Sequence, residues 1–145
     1  MQIAAYSHYR EDEILSLYRD AGWTAYTRDK AALKKGFEHS LKVLAAYEDG
    51  KLIGLLRAVG DGFTVVWVQD LLVLSAYRRR GVGRALLQAI TQKYAHVRQI
   101  MLASDSTGEN AAFYTACGFQ PFSEMGMQGF MNVRNMENAS MGKSK

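Results

Sequence analysis

The feature that constrains this chain most is an apolar run, residues 63–74, which breaks into Arg78-Arg79-Arg80-Gly81-Val82-Gly83-Arg84 and then resumes with helical spacing. Val82, Leu86, Leu87, Ile90 and Tyr94 approximate the i, i+4, i+5, i+8, i+12 positions of one buried helix face. The run before the turn is apolar at successive positions, as expected of a central strand covered on both sides. A central strand that feeds an amphipathic helix through a tight turn requires a mixed α/β fold. The chain holds 145 residues, which suits one domain able to bury roughly 68–70% of its unfolded surface.

The remaining segments extend that order. Residues 3–6 read as an opening strand. Residues 10–21 read as a helix, with Ile14, Leu15, Leu17 and Tyr18 on one side and Gly22 as its stop. Thr27 or Asp29 caps a second helix running to about residue 39. Strands over residues 41–47 and 52–59 flank Glu48-Asp49-Gly50-Lys51, whose Asp-Gly is a hairpin signal. Gly60-Asp61-Gly62 makes a second turn, so the middle of the chain is an antiparallel meander. A short strand over residues 99–103 follows the Arg-rich turn and its helix. Ser106 or Thr107 then opens a helix that ends at Cys117, with Gly118 as a left-handed stop. Residues 119–122 and about 127–133 read as closing strands. There is no repeat and no linker, so residues 1–134 are expected to form one domain and residues 135–145 a mobile tail.

Composition narrows the function. With 48% apolar and 22% charged residues, disorder is excluded. No stretch of about 18 apolar residues offers a membrane span. The N-terminal residues lack the charged start and apolar core of a secretory signal. Cys117 stands alone, so neither a disulfide nor a multi-cysteine zinc site is expected, and a cytoplasmic location follows. His8, His39 and His96 show no ligand spacing, so no metal is expected. Cys117 itself reads as a small packed hydrophobe. The net charge of +4 is mild. It gathers at Arg78, Arg79, Arg80 and Arg84, and again at Lys143 and Lys145. A local cluster suits a small phosphate-bearing ligand, and the aromatic–basic interleaving that stacks nucleic-acid bases is missing.

The Arg-rich turn has a specific chemistry. At a helix N-terminus the first backbone N–H groups are unpaired and the dipole is positive. Gly81 and Gly83 remove the Cβ atoms that would keep an anion at a distance, and Arg78, Arg79, Arg80 and Arg84 add charge-assisted bonds. A solvated basic turn is the plainer alternative. No Lys-Ser or Lys-Thr follows Gly83, so this is not a Walker loop. Leu86 occupies the third glycine position of a dinucleotide fingerprint, which excludes that motif as well.

What remains is R-x-x-G-x-G at Arg78, Gly81 and Gly83. Asn110-Ala111-Ala112-Phe113-Tyr114-Thr115-Ala116-Cys117-Gly118-Phe119 begins 27 residues after Gly83. The pair of motifs resembles the GNAT N-acetyltransferase superfamily, in the manner of its small bacterial single-domain members. The resemblance covers roughly residues 43–122. It implies a GNAT fold: a mixed, mostly antiparallel central sheet of about six to seven strands with helices on both faces and a V-shaped splay between central strands. It implies acetyl-CoA as donor, held by the backbone of Leu71, Leu72 and Val73 and by the turn of Arg78, Arg79, Arg80, Gly81, Val82, Gly83 and Arg84, with Asn110 as a further contact. Tyr114 is then the expected general acid for the departing CoA sulfur, and a backbone N–H near Leu72 the oxyanion donor. The acceptor would be a small-molecule primary amine attacking directly in a ternary complex. Neither nucleic acid nor membrane is implied as a partner, and a homodimer is, supported by the apolar segment over residues 127–133.

Asp70 lies just before the acetyl-binding backbone and is the nominee for the base or for holding the amine's charge. A buried strand carboxylate can equally pair with an arginine. The run from Gln69 to Arg78 resembles spermidine/spermine acetyltransferases, which usually carry an acid where this chain has Gln69. The segment from Gly22 to Tyr26 also resembles plant arylalkylamine acetyltransferases, with Trp23 and Tyr26 as acceptor-pocket walls or as core. Tyr114 has a plain alternative as a packed helix tyrosine. A non-catalytic acyl-CoA sensor and a protein N-terminal or lysine acetyltransferase are the rival functions on the same fold.

Overall fold

The computed structural model describes residues 1–134; the tail expected over residues 135–145 lies outside the described residues. Strand β1 (Gln2–Ala5) is followed by helices α1 (Glu11–Asp20), α2 (Thr24–Arg28) and α3 (Lys30–Glu38). The meander β2 (Lys42–Glu48), β3 (Lys51–Gly60) and β4 (Val65–Val73) comes next, then α4 (Val82–Lys93) and β5 (Gln99–Leu102). One compact unit holds Met1–Ala103; a second begins at Ser104 and contains α5 (Gly108–Ala116).

In the first unit the strands lie in the order β1-β2-β3-β4-β5. All pairs are antiparallel except β4 with β5, which is parallel because α4 crosses between them. On one face α1 and α3 bury Ile14, Leu15, Leu17, Tyr18, Leu33 and Phe37 against Val43, Ala45, Leu55 and Leu72. Helix α1 starts with Glu11, Asp12 and Glu13 and carries Arg19 in its last turn, both favourable to its dipole. Of the two caps read for the second helix, Asp29 serves: its Oδ1 accepts from the Ala32 N–H at 3.0 Å. Ahead of it, residues 24–28 form the short helix α2.

On the other face α4 lies against the sheet close to the meander's second strand. A Cβ on Gly54 would stand 2.8 Å from Val82 Cγ1, 3.2 Å from the Leu72 carbonyl oxygen and 3.3 Å from Leu86 Cδ1. Helix α4 therefore rests directly on backbone there, and its N-terminus is held beside the end of β4.

Three expectations are corrected. Among the described residues the sheet has five strands, where six to seven were expected. Residues 119–122 and 127–133 do not form strands. Pro121 cannot donate to a ladder, and residues Phe122–Met125 coil into a 3-10 turn closed by left-handed Gly126. Met127, Phe130, Met131 and Val133 are exposed, so the strand cited for a homodimer is not present among the described residues. Strand β4 is also not covered evenly on both sides. Its burial alternates from Val65 to Val73, and the half-buried positions include Trp67 and Gln69. Among the described residues no helix is long and apolar enough to cross a membrane.

Candidate active site

Two features of β4 build the site. The first is where its pairing stops. Strand β5 pairs with Val65, Val66, Trp67 and Val68, so within the sheet residues 70–73 are paired on the β3 side alone. That half-paired stretch contains Leu71, Leu72 and Val73, and it runs into the Arg-rich turn. The Leu72 side chain is buried in the core, whereas Leu71 and Val73 are half-buried.

The turn is held by side chains from several elements. Asp20, at the end of α1, accepts from the Ser75 N–H at 2.9 Å and from its hydroxyl at 3.0 Å. Arg78 Nε donates to the Val73 carbonyl at 3.3 Å. Arg80 lies 3.4 Å from Glu48 and its guanidinium 5.1 Å from the centre of the Tyr77 ring. This ion pair is solvent-exposed, and exposed pairs contribute only about 0–1 kcal/mol, so Arg80 can be re-aimed at an anion at little cost. Arg79 adopts φ 61° and is exposed, as is Arg84. Gly81 caps α4 at φ 83°, a conformation that L side chains enter at a cost of about 1–2 kcal/mol. Nothing lies within 4 Å of the position its Cβ would take. The space beside Gly81, at the start of α4, is thus open.

The second feature is a β-bulge. Arg57 pairs with Asp70 but Ala58 pairs with Val68, leaving Gln69 as the extra residue. An extra residue re-aims side chains locally, and here Gln69 and Asp70, neighbours in sequence, both bond to the helical layer. Asp70 is fully buried. Its Oδ2 accepts from the Tyr18 hydroxyl at 2.6 Å and from Arg57 Nε at 2.7 Å. Arg57 Nη1 also donates to the Gly36 carbonyl at 3.4 Å and to Ser40 Oγ at 3.3 Å. Asp70 Oδ1, equally buried, has no hydrogen-bond partner.

Beside this pair, Trp67 Nε1 donates to Gln69 Oε1 and Gln69 Nε2 donates to the Tyr26 hydroxyl, both at 2.9 Å. An indole N–H can only donate, so Trp67 fixes which way the Gln69 amide faces. Burial, then the Tyr18–Asp70 contact, pushes the Tyr18 phenol well above its ordinary range. Burial and the Asp70 charge raise Tyr26 as well. Burial works against the Arg57 charge, and Asp70 more than restores it. Tyr18 meets Tyr26 and Trp23 edge-on, with ring centres 5.3 and 6.0 Å apart.

Asp70, Tyr26 and Trp23 are thus brought together, and both aromatics pack against the core cluster. Sequence reading missed Arg57, Tyr18, Gln69 and Trp67 as their partners. A usable signal was present in Arg57, a lone charge inside an apolar strand, and in the adjacent polar pair Gln69-Asp70.

The second unit carries the other motif. Thr107 Oγ1 accepts from the Asn110 N–H at 3.1 Å and caps α5. Asn110 Nδ2 donates to the Asp105 carbonyl at 3.1 Å, which ties down the preceding loop. One turn later, half-buried Tyr114 packs edge-on against Phe113 and Phe119, at 5.0 and 6.2 Å. Burial, with a smaller contribution from Cys117, pushes its phenol up to about 12. Among the described residues no three His, Cys, Asp or Glu side chains gather as a metal site would need.

Known proteins resemble this chain in sequence and fold. The acetyltransferase (GNAT) domain family model matches residues 39–121. The chain is similar to an acetyltransferase of the GNAT family from Streptococcus pneumoniae, at 32% identity and TM-score 0.84, over 92% of this chain and 98% of that one. It is 26% identical over 131 residues, 89% of its length, to GCN5-related N-acetyltransferase 3, chloroplastic, of Arabidopsis thaliana, and it spans 54% of that relative. An aminoglycoside acetyltransferase from an uncultured soil metagenomic sample, solved with sisomicin, shares the fold at TM-score 0.64 and 19% identity, over 90% of this chain and 94% of that one.

Proposed function

Because this chain belongs to the GNAT acetyltransferase family, we propose that it moves an acetyl group from acetyl-CoA to a primary amine by direct transfer in a ternary complex. One observation carries the reading: the half-paired stretch of β4 leads straight into an arginine-flanked helix start where a Cβ on Gly81 would enter open space. Acetyl-CoA would supply the activated thioester. The turn at Arg78, Arg79, Arg80, Gly81, Val82, Gly83 and Arg84 holds a diphosphate through N–H groups and guanidiniums. The stretch Leu71, Leu72 and Val73, open on the side away from β3, would give an edge to an extended arm and a donor for the developing oxyanion. Asn110 orders the loop that precedes the helix bearing Tyr114.

Tyr114 is the proton donor to the leaving sulfur. With its phenol at about 12 it keeps its proton throughout the neutral range, as an acid needs to. Tyr114→Phe is expected to lower kcat by about 10²-fold while the dissociation constant for acetyl-CoA stays within about twofold. Stopped assays with calorimetric binding check this, and unchanged kcat removes Tyr114 from the mechanism. Gly81→Val should weaken acetyl-CoA binding by about tenfold or more, about 1.4 kcal/mol, in protein confirmed as folded by circular dichroism. Unchanged affinity would refute the cradle.

The deciding experiment is release of CoA thiol from acetyl-CoA across primary amines and lysine peptides. Amine-dependent release supports the transferase. Binding without release supports an acyl-CoA sensor, and absence of binding removes the cradle.

A further inference from the structure

We infer that the Arg57–Asp70 pair selects the acceptor: a single amine, received in its neutral form by Asp70 Oδ1, on an arm that carries no second cation. The inference rests on the transferase reading above and concerns the amine's side of the same site.

The first support is the orphan oxygen. A fully buried carboxylate oxygen without a partner costs of order 1–3 kcal/mol, and one N–H from a ligand would remove that cost. Tyr26 lies close enough to feel the Asp70 charge, and its hydroxyl accepts from Gln69. The second support is charge. In this hydrogen-bonded network Asp70 is the one carboxylate, and Arg57 has neutralised it at 2.7 Å.

The groups facing the pair from the packed elements are Tyr18 of α1, Tyr26 of α2, Phe37 and the Gly36 carbonyl of α3, the Ser40 hydroxyl just after it, and Gln69 of β4. None is anionic. Glu13, farther along the aromatic cluster, is taken by the Tyr6 hydroxyl at 2.7 Å. An ammonium entering here would meet the Arg57 guanidinium without a free anion to offset it, and desolvating an unpaired charge is costly. A neutral amine meets no such penalty, and it carries the lone pair that attacks. Spermidine or an aminoglycoside would bring further ammonium groups into the same field. An uncharged arm instead finds the edges of Trp23 and Tyr26, with ring centres 6.3 Å apart.

Gln69 offers the sharp test. Gln69→Glu keeps the shape and both contacts, because the Trp67 N–H still donates to an oxygen and the Tyr26 hydroxyl can turn from acceptor to donor. It adds one uncompensated carboxylate beside Asp70. The measurement is kcat/KM for 2-phenylethylamine, spermidine and kanamycin in wild type and in this variant, with acetyl-CoA binding followed by calorimetry. The wild type should favour 2-phenylethylamine over both polycations by at least about tenfold, and Gln69→Glu should narrow that ratio by about tenfold, the size of one screened charge interaction. A wild-type preference for spermidine or kanamycin overturns the inference and leaves the transferase reading standing. An unchanged ratio in folded Gln69→Glu does the same. Absence of turnover with every amine overturns the transferase reading, and the inference falls with it.

Discussion

Replacing Arg57 by methionine is expected to cost about 3–5 kcal/mol of folding stability, because it leaves a buried carboxylate without its counter-charge. Methionine nearly fills the volume of the arginine stem, so a cavity accounts for little of the loss. What disappears is the 2.7 Å bond to Asp70 and the cross-links to Gly36 and Ser40. For a chain this size the midpoint of thermal unfolding should fall by about 10 °C or more. The double variant Arg57→Met with Asp70→Asn should recover a large part of the loss, since no isolated charge then remains. Chemical denaturation of the wild type and the two variants measures both. A single-variant loss below about 1 kcal/mol would mean that water reaches Asp70 and that the pair is an ordinary surface contact.

Gly54→Ala is expected to be the second large effect, with a sign opposite to propensity. Alanine in place of a strand glycine ordinarily stabilises by roughly 0.5–1 kcal/mol. Here the added carbon would stand 2.8 Å from Val82 Cγ1 and 3.2 Å from the Leu72 carbonyl oxygen. Leu86 Cδ1, at 3.3 Å, crowds the same point from α4, so turning the valine methyl does not clear it, and the carbonyl belongs to β4 and cannot turn. Helix α4 must then lift, at an overpacking cost of about 1–3 kcal/mol. Lifting α4 also shifts the proposed diphosphate cradle, so acetyl-CoA affinity should fall together with the melting temperature. A variant that melts higher than the wild type would show that the helix–sheet contact is adjustable.

What the sequence disclosed follows from the range of the forces involved. The meander, the Asp-Gly turn, the Arg-rich loop and the helix beginning at Val82 are governed by neighbours in the chain, and their residue types announce them. Gly118 and Asp29 were legible for the same reason. The bond between Tyr18 and Asp70 joins residues 52 positions apart, and nothing local encodes it. The bulge was hidden because the buried positions Val66, Val68, Asp70 and Leu72 keep an unbroken two-residue period, although their pairing partners shift. Residues 127–133 misled in the opposite way. Their apolar side chains have the composition of a strand, but Pro121 and Gly126 turn the chain before it, and apolar composition alone supplies no partner for a ladder.

The long reach of that Tyr18–Asp70 bond also orders events as the protein forms. Arg57 and Asp70 lie 13 positions apart across one hairpin, and hairpins close in microseconds. Docking α1 requires closure of a much longer loop, whose entropy cost is greater. The guanidinium and the carboxylate therefore meet before Tyr18 arrives to seal them from water. The aromatic layer closes over a pair that is already neutral, and at no stage does the nascent chain have to bury a lone charge.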